Sequence, residues 1–410
     1  MTVNNKIIIQ KFGGSSLINL TTREHVIAHI RTGLSEGYRL VIVVSAMGRE
    51  GDPYATDTLI EHIQRNGDRL KGRELDLLLS CGEIISATTL SSMLNARGID
   101  NTVLTGGQAG LITDYNFANA KIIKVNPTRL LEELDKHDVV IVAGFQGVTE
   151  KGDITTLGRG GSDTTATALG VALNAEYIDI FTDVVGIMSA DPRIVKNAER
   201  LATVTYEEIC NLTNEGAKII HPRAVEIAME KQIPIRVRST FNQGVGTLVT
   251  TRDSLKEYSV DSQLSDRIIT GITSIANLAQ IKVNFSEQTN NQRILFFKKL
   301  ADNLITIDFI NIASEDTTFT VAKHDLTALL EILQEMDYKP TIYDNCAKVS
   351  IVGAGIAGVP GLMAQIVETL NTEDIEIIQS SDSHTSIGIL VKASDLARTI
   401  IALHSKFYVM

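Results

Sequence analysis

Two glycine-rich segments hold the residues of this sequence that could handle a phosphoryl group. The first, KFGGSS at positions 11–16, sets Lys11 beside Gly13 and Gly14. Glycines let backbone amides approach an anion, and a neighbouring lysine can stabilise charge on phosphoryl oxygens. The same pattern fits an ordinary strand–helix turn with an incidental lysine, so this segment alone leaves both interpretations open.

The second segment, LGRGGSDTTA at positions 157–166, adds an arginine and an aspartate to three glycines. Arg159 can bind a carboxylate through two parallel hydrogen bonds, which a lysine cannot do. Ser162 or Asp163 can cap the helix that we predict to follow. Alternatively, Asp163 orients the ammonium group of Lys11. Two such loops in one domain favour phosphoryl transfer, and no GxxxxGK[ST] occurs, which excludes a P-loop enzyme.

A third glycine loop, GAGIAG at positions 353–358, fits the dinucleotide fingerprint GxGxxG, with Asp374 and Glu376 further on. However, only about 50 residues follow it, too few for a doubly wound sheet. The loop also lies inside a repeated segment. We therefore interpret it as a strand–helix loop whose backbone is open to a small effector.

No residue cluster predicts a metal site. His25 and His29 lie four apart on one predicted helix, but no third ligand accompanies them. The three cysteines (Cys81, Cys210 and Cys346) are far apart and lack CxxC spacing. They fit neither a disulfide framework nor a zinc knuckle, and they favour a reducing cytoplasm.

The composition of the chain excludes several classes of protein. Its 410 residues are 44% hydrophobic and 21% charged, enough to build cores for roughly two to four domains. With 38 basic and 49 acidic residues the formal charge is −11, which argues against nucleic-acid binding by phosphate neutralisation. No apolar run approaches the ~18 residues of a membrane span, and the N-terminal stretch lacks a signal peptide's features. We expect a cytoplasmic protein without nucleic-acid or membrane partners.

The elements that must position the glycine loops alternate between strand and helix over residues 1–245. We predict strands at 6–10, 40–44, 138–143, 177–182 and 234–237, and helices at 23–35, 83–96, 163–173 and 215–231. Several strands are apolar on both faces, which is typical of a parallel sheet buried between helices. The predicted fold class is therefore α/β with three layers.

Beyond a polar stretch at 243–266 the chain repeats itself. Ile307 of one copy matches Ile375 of the other, and Asp325 matches Asp395. Each copy fits a ferredoxin-like βαββαβ unit. We therefore predict a large catalytic domain at 1–245, a junction at 246–265, and two small domains at 266–340 and 341–410.

The order of motifs along the chain resembles that of the aspartokinase family. The motifs are KFGGSS at 11–16, VVSAMG at 43–48 followed by Thr56 and Asp57, CGE at 81–83, GFQGV at 144–148, LGRGGSDTTA at 157–166, FTDVVGIMSADPR at 181–193 and KIIHPRA at 218–224. The C-terminal copies resemble the paired ACT domains of this family, so the resemblance spans essentially the whole chain. The spacer REGDPYA and the segment IQSSDSHTS are most similar to monofunctional enzymes of Gram-positive bacilli, including the diaminopimelate-sensitive type.

The resemblance implies transfer of the ATP γ-phosphoryl group to the β-carboxylate of L-aspartate, giving 4-phospho-L-aspartate. This is the first step towards diaminopimelate, lysine, threonine and methionine. An ionised carboxylate needs no general base, so the absence of a His–Asp or Ser–His pair agrees with this chemistry. Mg²⁺ is implied as the cofactor, held mainly by ATP phosphates and water.

The resemblance also implies roles for individual residues. Lys11 stabilises the transferring group, and Asp163 holds Lys11. Arg159 takes the α-carboxylate of aspartate and Glu83 its ammonium group. Thr56 also contacts aspartate, although Ser45 or Thr58 could supply this hydroxyl instead. The residues implied to line the nucleotide are Lys11, Phe12, Gly13, Gly14, Ser162, Phe181, Thr182, Asp183, Ile187, Asp191, Pro192 and Lys218.

An amino-acid effector (lysine, threonine or meso-diaminopimelate) is implied at the second ACT copy. The residues implied to bind it are Gly358, Val359, Pro360, Ile375, Glu376 and Gln379. The first copy has SEQTNNQRILFF at 286–297 instead of the usual loop with Asp and Gly, so we place the effector on the second copy. Such sites usually join ACT copies of two chains, which implies a homodimer.

Two other functions compete with an aspartate kinase. One is another amino-acid or carbamate kinase on the same fold, and the other is a catalytically silent amino-acid sensor. Arg159 together with Glu83 favours an α-amino acid as the acceptor. The presence of both Lys11 and Asp163 argues against a silent sensor.

Overall fold

The computed structural model describes residues 6–67, 70–254, 268–285, 290–356 and 358–408. These residues form two compact units. The first unit comprises the described residues up to Ile187 together with 200–213 and 218–254, and the second comprises 188–199, 214–217 and 268–408.

The first unit contains the twelve strands and eight helices named below, and its residues 252–254 are also helical. The strands are β1 (Ile7–Phe12), β2 (Arg39–Val44), β3 (Asn101–Leu104), β4 (Leu111–Thr113), β5 (Ile122–Val125), β6 (Val139–Ala143), β7 (Gln146–Val148), β8 (Ile154–Thr156), β9 (Ile178–Thr182), β10 (Thr203–Thr205), β11 (Ile235–Ser239) and β12 (Thr247–Thr250). The helices are α1 (Gly14–Leu17), α2 (Leu20–Ser35), α3 (Thr56–Arg65), α4 (Arg73–Asn95), α5 (Thr128–Leu134), α6 (Gly161–Ala172), α7 (Tyr206–Asn214) and α8 (Pro222–Lys231).

Eight of these strands form one sheet in the order β10-β12-β11-β9-β1-β2-β6-β3, parallel throughout except between β11 and β12. Helices α2 and α4 pack on one face, and α6 packs on the other. The central strands are buried because their continuous Val and Ile runs face a helix on both sides. The predicted three-layer α/β class is therefore confirmed. A smaller sheet, β5-β4-β7-β8, completes the unit.

The five predicted strands are found within two residues of their predicted ends. The predicted helix at 215–231 is wrong, because α7 ends at Asn214 and α8 begins at Pro222. Gly216 between them has φ +109°, a conformation outside a right-handed helix. The predicted junction at 246–265 also starts too early, because β12 at 247–250 is a strand of the large sheet. Residues 255–267 of the junction lie outside the described part of the chain.

Helix α4 is, within the described ranges, the one helix long and apolar enough to cross a membrane, judged by length and composition alone. It is a core helix of the first unit, and its buried side chains include Asp76 and Glu83. Two buried carboxyl groups on one helix fit a polar site in a folded unit better than a lipid environment. The length and composition of α4 are therefore only weak evidence for a membrane span.

The second unit is built on a six-stranded sheet in which both copies of the repeat take part. Its elements are β13 (Gly271–Asn284), α9 (Asn290–Asp302), β14 (Ile307–Ile312), β15 (Asp316–Ala322), α10 (Leu326–Glu335), β16 (Thr341–Val352), α11 (Leu362–Thr372), β17 (Gln379–Asp382), β18 (Ser386–Lys392) and α12 (Leu396–Tyr408). The sheet order is β14-β15-β13-β16-β18-β17. Residues 286–289 of the first copy's loop lie outside the described part of the chain.

The two copies interlock through the long strands β13 and β16. Residues 278–282 pair with 341–346, and residues 271–275 pair with 348–352. The last strand of the first copy is therefore the start of β16, and the last strand of the second copy is the start of β13. The predicted boundary between residues 340 and 341 does not separate two independent domains. Strand β13 lies before this boundary and β16 after it, and the two strands are hydrogen-bonded to each other in both copies.

Two segments that we assigned to the first domain belong to the second unit. In the segment 188–199, Ser189 bonds His404 at 2.9 Å, and Ala190 and Val195 lie in the hydrophobic core of the second copy. In the segment 214–217, the Glu215 carboxylate contacts the Lys348 ammonium at 2.9 Å. The predicted first domain at 1–245 is therefore interrupted twice.

Candidate active site

Lys11 and Asp163 meet at the carboxyl end of the parallel sheet. Lys11 lies near the end of β1, and its Nζ is 2.6 Å from Oδ1 of Asp163, with both side chains only 12–13% exposed. Asp163 lies in the first turn of α6, whose N-cap is Gly160 and carries no side-chain cap. The prediction that Ser162 or Asp163 caps this helix is therefore wrong, and the structure brings Asp163 to Lys11 instead.

The glycines beside Lys11 differ in what they do. A Cβ at Gly14 would lie 2.5 Å from the carbonyl oxygen of Gly48, while the Gly48 N–H donates to the Gly14 carbonyl at 3.1 Å. Gly14 therefore permits the loops after β1 and β2 to touch. The nearest atom to a Cβ at Gly13 is Nζ of Lys11, at 3.7 Å. The Gly13 backbone is thus open next to the lysine ammonium.

The loop before α6 presents Arg159 between two glycines in the left-handed region. Gly158 has φ +73° and Gly160 has φ +70°, conformations that favour glycine. A Cβ at Gly160 would also lie 2.3 Å from Cβ of His221. Arg159 is exposed and has no ion pair or hydrogen bond with any other described residue. Its guanidinium group is therefore available to a ligand.

Glu83 is a buried carboxyl group with one unsatisfied oxygen. It lies on α4, is 2% exposed, and its Oε1 accepts a hydrogen bond from the Ala46 N–H at 3.0 Å. Its Oε2 is buried without a hydrogen-bond partner in the described structure. Burial raises the pKa of Glu83 to about 8. A cationic group reaching Oε2 would satisfy this oxygen and restore the charge.

The three candidate hydroxyl groups differ in availability. Thr58 Oγ1 accepts a hydrogen bond from the Gly51 N–H at 3.1 Å and so holds the loop before α3. Ser45 and Thr56 make no side-chain hydrogen bond to another described residue. Thr58 is therefore the weakest of the three candidates for contacting aspartate.

Three residues predicted to line the nucleotide have fully buried side chains. Phe12 and Phe181 stack at 4.6 Å between ring centroids inside the core, and Ile187 is 0% exposed. These side chains are used in core packing, and the prediction that the three residues line a nucleotide stays a prediction. Their backbone groups alone remain available to a ligand.

The other residues predicted to line the nucleotide differ in their exposure and in their bonding partners. Ser162 is 8% exposed, Lys218 is exposed, and the Thr182 hydroxyl donates to Asp183 at 3.1 Å. Asp183 also pairs with Arg49 at 2.8 Å. Two further residues belong to the second unit: Asp191, which pairs with Arg193 at 2.6 Å, and Pro192.

Asp76, on the same helix as Glu83, is a buried carboxylate that our sequence analysis did not single out. It is fully buried on α4, seven residues before Glu83. Residues i and i+7 share one helix face. Two carboxylates on one face of an apolar helix, spaced as in LDLLLSCGE, are the signal that could have identified it.

The structure does not gather the predicted effector residues into one pocket. Glu376 and Gln379 line a cavity of about 690 Å³, which Gly358, Val359 and Pro360 do not line. The side chains of Ile375 and Val359 pack in the hydrophobic core of the second copy. Glu376 pairs with Lys392 at 2.8 Å, and Gln379 bonds both Gln280 and the Phe309 carbonyl at 2.7 Å.

Comparison with known proteins gives consistent matches over the whole chain. The model of the amino acid kinase family matches residues 6–239, and an ACT domain model matches residues 341–405. The chain is 52% identical to Aspartokinase 1 of Bacillus subtilis strain 168 over 402 residues, which cover 98% of this chain and 99% of that protein. This likeness confirms the predicted similarity to enzymes of bacilli.

Two solved structures share the fold. One is E. coli aspartokinase III in complex with aspartate and ADP, with a TM-score of 0.78 and 23% identity over 98% of this chain and 100% of that chain. The other is the same enzyme in complex with lysine and aspartate, with a TM-score of 0.77 and 23% identity over 98% of this chain and 99% of that chain.

Proposed function

The chain belongs to the aspartokinase family, and from that membership we propose that the Lys11 site is where it phosphorylates L-aspartate. We define the Lys11 site as Lys11, Asp163 and the glycine loops at 13–14 and 158–161. The activity is transfer of the ATP γ-phosphoryl group to the β-carboxylate of L-aspartate, under regulation through the ACT domains. The ion pair of 2.6 Å between Lys11 and Asp163 carries the proposal, because it fixes an ammonium group beside the open Gly13 backbone.

The reaction places most of its demands on positioning and charge. A β-carboxylate oxygen of aspartate attacks the γ-phosphorus while the bond to the bridging oxygen of ADP breaks. The nucleophile is already ionised, so no side chain has to remove a proton. Lys11 stabilises negative charge on the transferring group, and Asp163 keeps its ammonium in place.

Recognition of aspartate is divided between Glu83 and Arg159. The α-ammonium of aspartate satisfies the buried Oε2 of Glu83, which has no other partner among the described residues. The α-carboxylate is bound by the exposed, unpaired guanidinium of Arg159. Thr56 or Ser45 supplies the additional hydroxyl contact.

Arg159→Ala should raise the KM for aspartate about 10- to 100-fold while leaving the KM for ATP within about twofold, because one charge-assisted bidentate contact is lost. Initial rates with each substrate varied in turn measure both constants. Arg65→Ala, which removes an exposed arginine paired with Glu61, is the matched control. Equal increases in the two constants would contradict the carboxylate assignment.

The nucleotide is proposed to lie against the Gly13 and Gly14 backbone, with Ser162, Thr182 and Lys218 as further contacts. We propose Mg²⁺ as the metal that accompanies ATP. The carboxylates next to the site are already paired, Asp163 with Lys11 and Asp183 with Arg49, so they do not offer a ready ligand set. Phosphate oxygens and water are the usual ligands of Mg²⁺ in such sites, and we assign no side chain to it.

A hydroxamate assay tests the proposed reaction. Hydroxylamine traps an acyl phosphate, so ATP, Mg²⁺ and aspartate together should give product. Glutamate and carbamate in place of aspartate test for another kinase of the same fold. Product with another acid but not with aspartate would contradict the proposal, and no product with any acceptor would favour the silent sensor.

The effector is proposed to bind at the glycine loop of the second ACT copy. E. coli aspartokinase III has been solved with lysine and aspartate. In this chain Gly355, Gly358 and Gly361 all have φ between +84° and +96°, and nothing lies within 4 Å of a Cβ at any of them. The loop backbone is therefore open to a ligand. Lysine, threonine and meso-diaminopimelate share the α-amino acid head that such a backbone can bind.

Gly358→Val should raise the effector concentration for half-inhibition about tenfold or more, because a branched residue at φ +96° forces the loop to rearrange. Uninhibited activity should remain near that of the wild type. Inhibition curves with lysine, threonine and meso-diaminopimelate measure the change and identify the effector. Gly67→Ala, at an open positive-φ glycine of the first unit, is the control. Unchanged inhibition would place the effector elsewhere.

We further propose that the chain is a homodimer joined through its ACT copies and acts in the cytoplasm. The edge strand β14 supports the first point, because its Ile310 and Ile312 are exposed on a single chain. Sedimentation at several concentrations with and without each candidate effector tests it.

A further inference from the structure

Asp76 is a buried carboxylate that phosphoryl transfer itself does not use. It lies in the first turn of α4 and is 0% exposed. Its oxygens accept hydrogen bonds from the Ala118 N–H at 3.0 Å, the Thr156 N–H at 2.7 Å and the Thr156 hydroxyl at 2.9 Å. These donors replace the water that burial removes, so the carboxylate has one well-defined arrangement.

The end of β8, which Asp76 holds, leads directly into the Arg159 loop. Thr156 is the last residue of β8, and Arg159 follows three residues later. Both the backbone and the side chain of Thr156 are tied to Asp76. The position at which the loop begins is therefore set by α4 as well as by the small sheet.

Asp76 also holds a turn that supports the same loop from outside. Ala118 has φ +68°, a conformation that non-glycine residues rarely adopt, and its N–H is bonded to Asp76. The next residue, Asn119, packs so closely that its Oδ1 would lie 2.8 Å from a Cβ at Gly158. Asp76 thus holds both the strand end two residues before Gly158 and the turn that packs against Gly158, the residue that precedes Arg159.

The helix that carries Asp76 also carries Glu83. The two residues are seven apart, about two helical turns, and share one face of α4. Glu83 is fixed in turn by the Ala46 N–H at 3.0 Å. One rigid helix therefore connects the base of the Arg159 loop to the carboxylate that takes the substrate ammonium.

We propose that Asp76 is a positioning residue for aspartate recognition, holding the Arg159 loop at a fixed separation from Glu83. The guanidinium and the carboxylate then match the α-carboxylate and α-ammonium of one amino acid. Asp76 touches neither substrate and acts through Arg159. This inference rests on the roles proposed above for Arg159 and Glu83.

Asp76→Asn tests the inference, because the amide keeps the size of the side chain but turns one acceptor into a donor that faces N–H groups. We expect the KM for aspartate to rise about tenfold or more, with the KM for ATP and kcat within about threefold. Glu208→Gln is the matched control. Glu208 is also buried and accepts a backbone N–H, from Thr205 at 2.8 Å, but it lies outside the site. A proportionate rise in both KM values would overturn the inference.

A double-mutant cycle shows whether Asp76 acts through Arg159. In an Arg159→Ala background, Asp76→Asn should add less than about twofold to the KM for aspartate, because the group that it positions is gone. Independent, multiplicative effects would overturn the inference. If Arg159→Ala raises the KM and Asp76→Asn does not, the inference alone fails. If Arg159→Ala has no effect, the carboxylate assignment fails and the inference falls with it.

Thr156→Val keeps the test decisive if Asp76→Asn does not fold. This change removes only the hydroxyl donor to Asp76 and leaves the backbone bond in place. A rise of about three- to tenfold in the KM for aspartate, with the KM for ATP unchanged, would support the inference. An unchanged KM for aspartate in a folded Thr156→Val protein would overturn it.

Discussion

Replacing Lys11 by alanine should lower kcat by about 10³-fold, the cost of removing one preorganised group that stabilises the transition state. The ammonium group is held 2.6 Å from Asp163 and is little exposed, so water does not replace it well. The KM for aspartate should change little, because the role that we propose for Lys11 is to stabilise the transferring group and not to bind the amino-acid head. Single-turnover or hydroxamate rates at saturating substrates measure the loss.

The Lys11→Ala substitution leaves the Asp163 carboxylate unpaired, so a loss of folding stability must be distinguished from a loss of activity in this variant. Lys11→Ala should lower the melting temperature, and adding Asp163→Asn should recover stability without recovering kcat. Lys6→Ala is the matched control, because it removes an exposed lysine that pairs with Glu176 at 2.6 Å near the start of β1. Normal turnover in a folded Lys11→Ala protein would refute the role given to Lys11.

The contact between the two glycine loops could not be derived from strand order. The loop with Lys11 follows β1 of the large parallel sheet, whereas the loop with Arg159 follows β8 of the smaller sheet. The residues alone left the contact between Lys11 and Asp163 as one alternative, the resemblance favoured it, and the structure places the two side chains 2.6 Å apart. The approximate positions of the strands in the large sheet could be predicted, since buried parallel strands are continuous runs rich in Val and Ile.

What could not be predicted is which atoms of a motif residue are used. Phe181 and Ile187 stand in a nucleotide motif, but a sequence motif does not distinguish a residue that contributes its backbone from one that contributes its side chain. In the fold both side chains face the core. Asp76 was missed because its partners, the Ala118 N–H and the N–H and hydroxyl of Thr156, are distant in sequence and only the three-dimensional structure brings them to it.

The interlocked ACT copies show a second limit. A repeat in the sequence predicts two consecutive units of similar length. Which strand completes each unit depends instead on the pairing of β13 with β16, which are far apart in the chain. Asn277 and Asn345 have φ of +59° and +56° near the register shifts of β13 and β16, where each strand passes from one copy to the other. Neither asparagine stands out in the repeat pattern. The sequence therefore predicts a boundary between the two copies and not a change of copy within β13 and β16.

Glu83→Gln should raise the KM for aspartate about 10²- to 10³-fold, because the substrate ammonium then enters a buried site without its countercharge. Glutamine keeps the bond from the Ala46 N–H, so the loop after β2 should stay in place. Glu74→Gln, on the exposed surface of the same helix, is the control. Initial rates with varied aspartate measure the effect.

The pH dependence distinguishes a charge effect from a change of shape. Burial raises the pKa of Glu83 to about 8, so the empty enzyme holds this carboxyl protonated at pH 7. In the role that we propose for Glu83, binding of the ammonium requires the carboxylate and therefore releases a proton below pH 8. The KM for aspartate should fall as the pH rises towards 8, by up to about tenfold per unit, and then level off. In Glu83→Gln this slope should vanish; a slope that persists would assign the titration, and the ammonium contact, to another group.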